Sequence, residues 1–174
     1  MIPQQKWFER AWAFTLPPSQ SPNIVERLRG TPGRLEERTG GVAGTLLTRR
    51  DGEAWSIQEQ AGHLLDLEPL WLRRAEQLLA GEATLVAADL TNQKTREADH
   101  NARVPADILR EFRAARGLLV RLLEGADEAA AVRSALHPRL GTPMRLIDLA
   151  LFTAEHDDHH LAAITALRRR WGVA

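Results

Sequence analysis

The fold is decided by residues 56–81, which read SIQEQAGHLLDLEPLWLRRAEQLLAG. Ser56 followed by Glu59 forms the S-x-x-E capping box of a helix start, and Gly81 is typical of a helix end. Apolar residues recur at helical spacing between these two points, which predicts one long amphipathic helix. Pro69 lies inside the pattern, so we expect a kink there.

Three further stretches have the same helical periodicity, and none alternates with the period of two that marks a long β-strand. They run from Pro22 to Thr39, from about Pro105 to Gly125, and from Thr142 to about Trp171. Thr142 and Pro143 predict a cap followed by a first-turn proline, whereas Pro32 should bend or interrupt the first of these helices. Four amphipathic helices predict an all-α four-helix bundle.

Two segments outside the helices complete the expected architecture. Residues Glu82 to Val104 are polar and lack periodicity, which predicts a long crossover loop that carries Asn92, Thr95 and His100. Residues 1–21 are rich in Trp and Phe, so we expect an N-terminal arm that packs on the bundle or on a partner subunit. The length of 174 residues fits one domain that spans residues 1–174.

The composition argues against several classes of function. The 23 Lys and Arg residues are balanced by 23 Asp and Glu residues, so the basic excess of a nucleic-acid binder is missing. The absence of cysteine removes disulfides, thiolate metal sites and thiol nucleophiles. No stretch approaches the ~20 apolar residues of a membrane span, and no signal-peptide core is visible. We therefore expect a cytoplasmic protein that binds neither nucleic acid nor membrane.

The main candidate site residues are three histidines. His156 and His160 are neighbours on one helix face and can chelate a single ion, and His63 shares the inward face of its helix with Leu67 and Leu70. Three neutral imidazoles in an apolar interior need a shared partner, which a divalent cation supplies. Three histidine ligands leave one position of Zn²⁺ open, as in catalytic sites, and Ni²⁺ and Fe²⁺ also suit imidazole.

Charged residues near these histidines are secondary candidates. Glu59 and Asp66 lie one turn on either side of His63 and could orient its second ring nitrogen. Asp157 holds the position of the glutamate in an H-E-x-x-H motif, but its side chain is one methylene shorter. Acids of this kind are more often solvated charges on a helix flank, so we assign no general base. Arg74 shares a face with His63 and could meet an anionic substrate.

Two segments of the chain resemble the DinB/YfiT-like superfamily. Residues 55–68 read WSIQEQAGHLLDLE, and residues 154–161 read AEHDDHHL. Three shorter matches extend the likeness to nearly the whole chain: WFER at 7–10, RGTPGRL at 29–35 and HPRLG at 137–141. The resemblance implies a four-helix bundle, often a homodimer, with one Zn²⁺ or Ni²⁺ ion per chain held by His63, His156 and His160 together with water.

The resemblance also implies an enzyme, since members of this superfamily include thiol S-transferases that use bacillithiol or mycothiol and a mycothiol-dependent maleylpyruvate isomerase. We expect a metal-dependent hydrolase or thiol S-transferase, whose three-histidine site activates water or a low-molecular-weight thiol against a small electrophile. Two alternatives stay open: a small-molecule sensor, and a non-catalytic metal-binding or interaction module in which a fourth protein ligand such as His159 closes the site. A ferritin-like di-iron site is disfavoured, because Gln60 replaces the glutamate expected three residues before His63.

Overall fold

The computed structural model describes residues 2–173, and its long helices form a four-helix bundle. These helices are α1 (Ser21–Thr39), α3 (Ile57–Ala80), α5 (Pro105–Glu124) and α7 (Leu146–Arg170). The short helices between them are α2 (Gly44–Leu47), α4 (Gln93–Glu97) and α6 (Glu128–Ala131). Two antiparallel strands, β1 (Ser134–His137) and β2 (Thr142–Arg145), precede α7. Within the described residues, no helix combines the length and the apolar character that crossing a bilayer would require.

The order of the helices around the bundle differs from their order along the chain. Helices α1 and α3 each pack against both α5 and α7. The connections from α1 to α3 and from α5 to α7 therefore cross the bundle, whereas the long loop joins the neighbouring helices α3 and α5. The predicted four-helix bundle is confirmed, but the connections from α1 to α3 and from α5 to α7 make the crossings, not the loop of residues 82–104, for which the name crossover loop is kept. The topology places α3 beside α7, the two helices that carry the candidate histidines.

Helix α3 begins and ends where its sequence predicts. The Ser56 hydroxyl accepts a hydrogen bond from the Glu59 amide at 3.1 Å, and the Glu59 carboxylate accepts one from the Ser56 amide at 2.8 Å. Gly81 adopts φ 76°, the left-handed conformation of a helix C-cap. The expected interruption at Pro32 is wrong, because α1 is continuous through this residue. A proline removes one backbone hydrogen bond, and the packing of Pro32 in the buried face of α1 offsets that loss.

The predicted start of the last helix at Thr142 is also wrong. Residues 142–145 form β2, which pairs with β1 so that Ser134 lies opposite Arg145, and α7 begins only at Leu146. Arg145 takes the N-cap position, where its backbone amide donates to the Asp148 carboxylate at 2.9 Å. A hairpin with strands of four residues is too short to produce a recognisable alternation in the sequence.

The crossover loop is ordered by its contacts with the bundle and the hairpin. Its first part pairs with β1, since the Leu85 amide donates to the Leu136 carbonyl at 3.0 Å and the Leu136 amide donates to the Ala83 carbonyl at 2.9 Å. Its second part contains α4 and a 3₁₀ turn, which bury Thr95 and His100 against α3. The loop therefore brings two polar side chains to the helix that carries His63.

The N-terminal arm lies along α7. The rings of Trp7 and Trp12 contact the ring of Phe152, with centroid distances of 5.0 and 4.5 Å. The Arg145 guanidinium donates hydrogen bonds to two carbonyl groups of the arm, at 3.3 and 3.0 Å. These contacts hold the arm along α7, and the Trp7 ring also lies 5.0 Å from that of His156.

One buried ionic cluster joins all four long helices, and we call it the Arg116 cluster. Arg116 of α5 donates to Glu68 of α3 at 2.5 Å and to Asp157 of α7 at 3.0 Å. The Thr31 hydroxyl of α1 donates to Asp157 at 2.8 Å. All four side chains are at most 2% exposed, so the cluster fixes how the helices align in a dry interior.

Candidate metal centre

Three histidine side chains from two helices converge at one point. His63 of α3 and His156 and His160 of α7 each offer a ring nitrogen, and the three nitrogens lie within 4.8 Å of one another. The Nε2 atoms of His156 and His160 are 3.1 Å apart. All three residues are buried, with exposures of 3, 5 and 7%. The predicted spacing on two inward helix faces thus brings the three imidazoles together.

The ring orientation of His63 is set by the crossover loop. His63 Nδ1 lies 3.0 Å from the Thr95 hydroxyl, which donates its own hydrogen to the Asp66 carboxylate at 2.9 Å. Because that hydroxyl has a single hydrogen, it accepts from His63 Nδ1–H. The proton of His63 is therefore on Nδ1, and the lone pair of Nε2 is free for a cation. His100 supports the same carboxylate through its Nε2, at 2.7 Å.

Gln60 sets the orientation of His160 in the same way. The Gln60 amide oxygen lies 2.5 Å from His160 Nδ1, and an amide oxygen only accepts, so the proton is on Nδ1 and the Nε2 lone pair is free. His156 turns its Nε2 toward this lone pair, while its buried Nδ1 has no hydrogen-bond partner among the described residues. Two nitrogen atoms at this distance need a proton or a cation between them.

Burial keeps the three imidazoles neutral at physiological pH. Desolvation lowers the pKa of His63 to about 4 and lowers the pKa values of His156 and His160 well below the ordinary histidine value. Aromatic rings cause much of this burial: the Trp55 ring lies 4.6 Å from that of His63, and the Trp7 ring lies 5.0 Å from that of His156. Neutral imidazole is the form that binds a metal ion.

The donor set fits a divalent metal ion. Two nitrogens that bind one ion at ~2.1 Å in tetrahedral geometry are about 3.4 Å apart, close to the 3.1 Å between His156 and His160. The free Nε2 lone pairs of His63 and His160, and the approach of His156 Nε2 to the second of them, are also explained by a shared cation. His159 is not part of this group, because its Nδ1 accepts a hydrogen bond from the Gln4 amide at 2.9 Å.

The histidines form one end of a cavity of about 490 Å³. Much of its wall is apolar, and the rings of Trp7, Trp55 and Trp71 lie against the histidines. Another part of the wall is polar and contains Arg74, His137 and Arg139. Arg74 follows His63 by eleven residues on α3, a rise of about 16 Å, so this part lies well away from the three imidazoles. A volume of this size is typical of a small-molecule site, so a ligand in the cavity would reach the three imidazoles.

The three acidic candidates have other contacts. Glu59 caps α3 and pairs with Arg50, and Asp157 belongs to the Arg116 cluster, so neither orients a histidine of the site. Asp66 reaches His63 only through Thr95. Glu59 caps the start of α3, as the capping box in the sequence predicts. Asp157 lies about 100° of helix rotation from His156, so its side chain points to the bundle interior and not to the other histidines.

Sequence reasoning missed two residues that contact the histidines. Gln60 precedes His63 by three residues, and this spacing on one helix face was a usable signal for a residue near the site. Thr95 had no such signal, because its contact with His63 depends on how the crossover loop packs on α3.

The family model of the DinB superfamily matches residues 27–164. The chain is similar to the solved structure of YfiT from Bacillus subtilis, with a TM-score of 0.80 and 22% sequence identity over 95% of each chain. That protein is described as a probable metal-dependent hydrolase with an unusual four-helix bundle topology. The resemblance seen in the sequence is therefore confirmed.

A second solved structure has the same fold at lower similarity. It is a mycothiol-dependent maleylpyruvate isomerase, with a TM-score of 0.67 and 10% identity, and the match covers 85% of this chain and 62% of the isomerase. No curated protein sequence matches the chain at a significant level. At these identities the two structural matches establish the fold alone.

Proposed function

The chain belongs to the DinB superfamily, and from this membership and the converging histidines we propose that it is a metal-dependent enzyme acting on a small electrophile. The observation that carries the proposal is the position of three buried, neutral imidazoles at one end of a ligand-sized cavity. His63, His156 and His160 would hold one divalent cation, Zn²⁺ or Ni²⁺. When bound, such an ion lowers the pKa of a water molecule or a thiol and so supplies a nucleophile at neutral pH.

Residues of this chain prepare the site for that ion. Thr95 and Gln60 accept the outer N–H groups of His63 and His160 and so direct both Nε2 lone pairs inward. The Trp7 and Trp55 rings cover the imidazoles and exclude water from them. Orientation and exclusion of water both strengthen the interaction of a bound cation with a developing negative charge.

Two nucleophiles are compatible with this site, and we favour a low-molecular-weight thiol over water. The description of YfiT as a probable hydrolase supports water, and the mycothiol dependence of the structurally similar isomerase supports a thiol. The cavity of about 490 Å³ is far larger than a water molecule requires and has room for a thiol beside an electrophile. The reaction would then be a thiol S-transfer.

A non-catalytic metal-binding module is the alternative. Such a module needs a closed coordination shell, usually with four protein ligands. Among residues 2–173, no carboxylate or further histidine joins the three imidazoles, and this observation favours an enzyme.

The ligand assignment is tested by the metal content of purified variants. The double variant His156→Ala/His160→Ala should lose the bound ion, whereas the wild type should retain one divalent ion per chain, as measured by elemental analysis. His159→Ala is the matched control, since His159 lies on the same helix but is bonded to Gln4. Helix content is compared by circular dichroism. Equal metal content in the double variant and the control would reject the assignment.

The choice of nucleophile is tested by a conjugation assay. Metal-loaded protein should accelerate the reaction of monochlorobimane with bacillithiol, mycothiol or glutathione over the rate of metal-free protein. The rate with the His156→Ala/His160→Ala variant serves as a second control. If none of the three thiols reacts faster with metal-loaded protein, thiol transfer is wrong for this chain.

A further inference from the structure

Two arginines lie fully buried in this protein, and their surroundings differ. Arg116 contacts two carboxylates. Arg74 is 1% exposed, yet no carboxylate among residues 2–173 pairs with it. Its Nε and Nη2 donate to the Val86 carbonyl at 3.0 and 2.9 Å, and its Nη1 lies 3.2 Å from His137 Nε2. Burial of a guanidinium without a counter-charge costs free energy. An anion bound at Arg74 would offset this cost, and the described chain does not supply one.

His137 has more hydrogen-bond donors around it than it can accept from. The Leu140 amide donates toward its Nδ1 at 3.2 Å, and Arg74 Nη1 faces its Nε2. A neutral imidazole has one lone pair and one N–H. In either tautomer, one of these two donors therefore lacks an acceptor on the ring. When the ring proton is on Nε2, Nδ1 accepts from the Leu140 amide, and an anionic oxygen beside Arg74 Nη1 and His137 Nε2–H would accept from both.

Arg139 adds a second unpaired cation at the same end of the cavity. Its Nη2 is buried and has no hydrogen-bond partner among the described residues. Its guanidinium lies over the rings of Phe8 and Phe152, at 5.3 and 5.9 Å from their centroids. Aromatic faces hold a cation in place without neutralising it. Arg139 is thus positioned and still able to bind an anion.

The positive charges at this end of the cavity are those of Arg74 and Arg139. Burial, together with the nearby Arg139 charge, lowers the pKa of Arg74 to about 10. Burial and the charges of both arginines lower the pKa of His137 to about 4. Of the described residues that line the cavity, only Asp89 has a carboxylate. That carboxylate accepts hydrogen bonds from the backbone amides of Thr91 and Gln93, at 2.9 and 2.7 Å.

The positive end and the histidine end belong to one cavity. Phe152 lies between them: its ring centroid is 5.5 Å from that of His137, and it precedes His156 by four residues on α7, which is a rise of about 6 Å. A small molecule that binds at the positive end therefore extends along the aromatic wall toward the three imidazoles.

We propose that Arg74, His137 and Arg139 bind the anionic oxygen group of a small organic acid, a carboxylate or a phosphate. Binding there directs the rest of the acid toward the three imidazoles. The identification of this acid as the electrophilic substrate rests on the function proposed above, whereas the binding of the anion requires no metal ion.

The test is isothermal titration calorimetry of the full-length chain with benzoate, phenyl phosphate and the neutral benzamide. The protein is first stripped of metal by a chelator, so that a carboxylate cannot bind an ion. At least one anion should bind about tenfold or more tightly than benzamide, the usual effect of one charged hydrogen bond. The anion that binds more tightly identifies the group that the site prefers.

Two variants locate the binding. Arg139→Gln should weaken the binding of that anion by about tenfold or more, and Arg139→Lys, which keeps the charge, should weaken it less. Arg73→Gln is the matched control, because Arg73 pairs with Glu82 outside the cavity and is the residue next to Arg74. The proposal is overturned if benzamide binds as well as both anions, or if Arg139→Gln binds like the control.

The same proteins keep the two proposals separate. If the wild type holds one metal ion per chain as purified but binds neither anion better than benzamide, the anion site alone is rejected. If the wild type binds an anion but holds no metal ion as purified, the proposed enzyme is rejected and the anion site stands.

Discussion

At the scale of single residues, the direction of one hydrogen bond decides which nitrogen of His63 has a lone pair free for a cation. The Thr95 hydroxyl donates to Asp66 and therefore accepts from His63 Nδ1. Asp66 thus orients His63 indirectly, through the hydroxyl of Thr95 in the crossover loop. Outer contacts of this kind fix the tautomer and the ring orientation of a metal-binding histidine.

Thr95→Val tests this role. Valine has nearly the same shape as threonine but no hydroxyl, so His63 Nδ1–H would lose its acceptor. We expect the dissociation constant for Zn²⁺ to rise about 10–100-fold, as measured by competition with a chromogenic chelator. Thr95→Ser should restore tight binding, and Thr48→Val, which changes an exposed threonine, should have no effect. Wild-type affinity in Thr95→Val would show that the hydroxyl does not position His63.

The residues that the sequence could predict are those whose position follows from helix geometry alone. The spacing of His156 and His160 places both on one face of α7, and the apolar face of α3 includes His63. The partner of Asp157 could not be predicted, because periodicity gives a direction and not a partner: it pairs with Arg116, on a helix distant in sequence. The position of Thr95 beside His63 depends on how a loop packs on a helix, which no local sequence pattern predicts.

At the scale of elements, a glycine allows the crossover loop to pack on α3. A Cβ atom at Gly62 would overlap the ring of His100, which is 1% exposed. The same ring supports Asp66. Because Gly62 has no side chain, the His100 ring can pack against α3. From there it supports Asp66, which orients His63 through Thr95.

Gly62→Ala should therefore destabilise the protein, although alanine is the better helix former. We expect a loss of about 1–3 kcal/mol in the free energy of unfolding, the usual cost of overpacking, measured by urea denaturation. Gly30→Ala is the matched control: it also lies inside a helix, but no atom lies within 4 Å of the place that its new methyl group would take. This control should gain about 0.5–1 kcal/mol. A gain in both variants would contradict the close packing of His100.

The elements that the sequence could predict are the ones with their own start and stop signals. The capping box and Gly81 delimit α3 correctly. Thr142 and Pro143 gave an equally local signal, but the pairing of β2 with β1 overrides it. Pro143 is compatible with a strand because β2 is an edge strand, which among the described residues pairs only with β1.

At the scale of the whole molecule, the Arg116 cluster specifies how the four helices meet. It combines one positive charge with two carboxylates in the interior, so one negative charge has no counter-ion. A buried cluster of this composition favours the uptake of a proton. The sequence alone could predict four helices but not this arrangement, because the members of the cluster come from four separate segments. The homodimer that the resemblance implies stays a prediction.

The proton affinity of the cluster gives a prediction about pH. Burial raises the pKa of Glu68 from 4.5 to about 7, the nearby Asp157 charge adds to the rise, and Arg116 opposes it. Between these two values the folded protein holds a proton that the unfolded chain releases. Protonation of Glu68 therefore contributes stability that is complete below pH 4.5 and is lost as the pH rises through about 7.

Glu68→Gln removes this titration and nearly preserves the shape of the side chain. The free energy of unfolding of the wild type, relative to that of the variant, should fall between about pH 5 and pH 7 by at most ~1.4 kcal/mol per pH unit. Urea denaturation at a series of pH values measures both proteins. Glu76→Gln removes an exposed carboxylate from the same helix and corrects for the effect of net charge. Parallel pH profiles for the wild type and Glu68→Gln would show that Glu68 is ionised throughout this range.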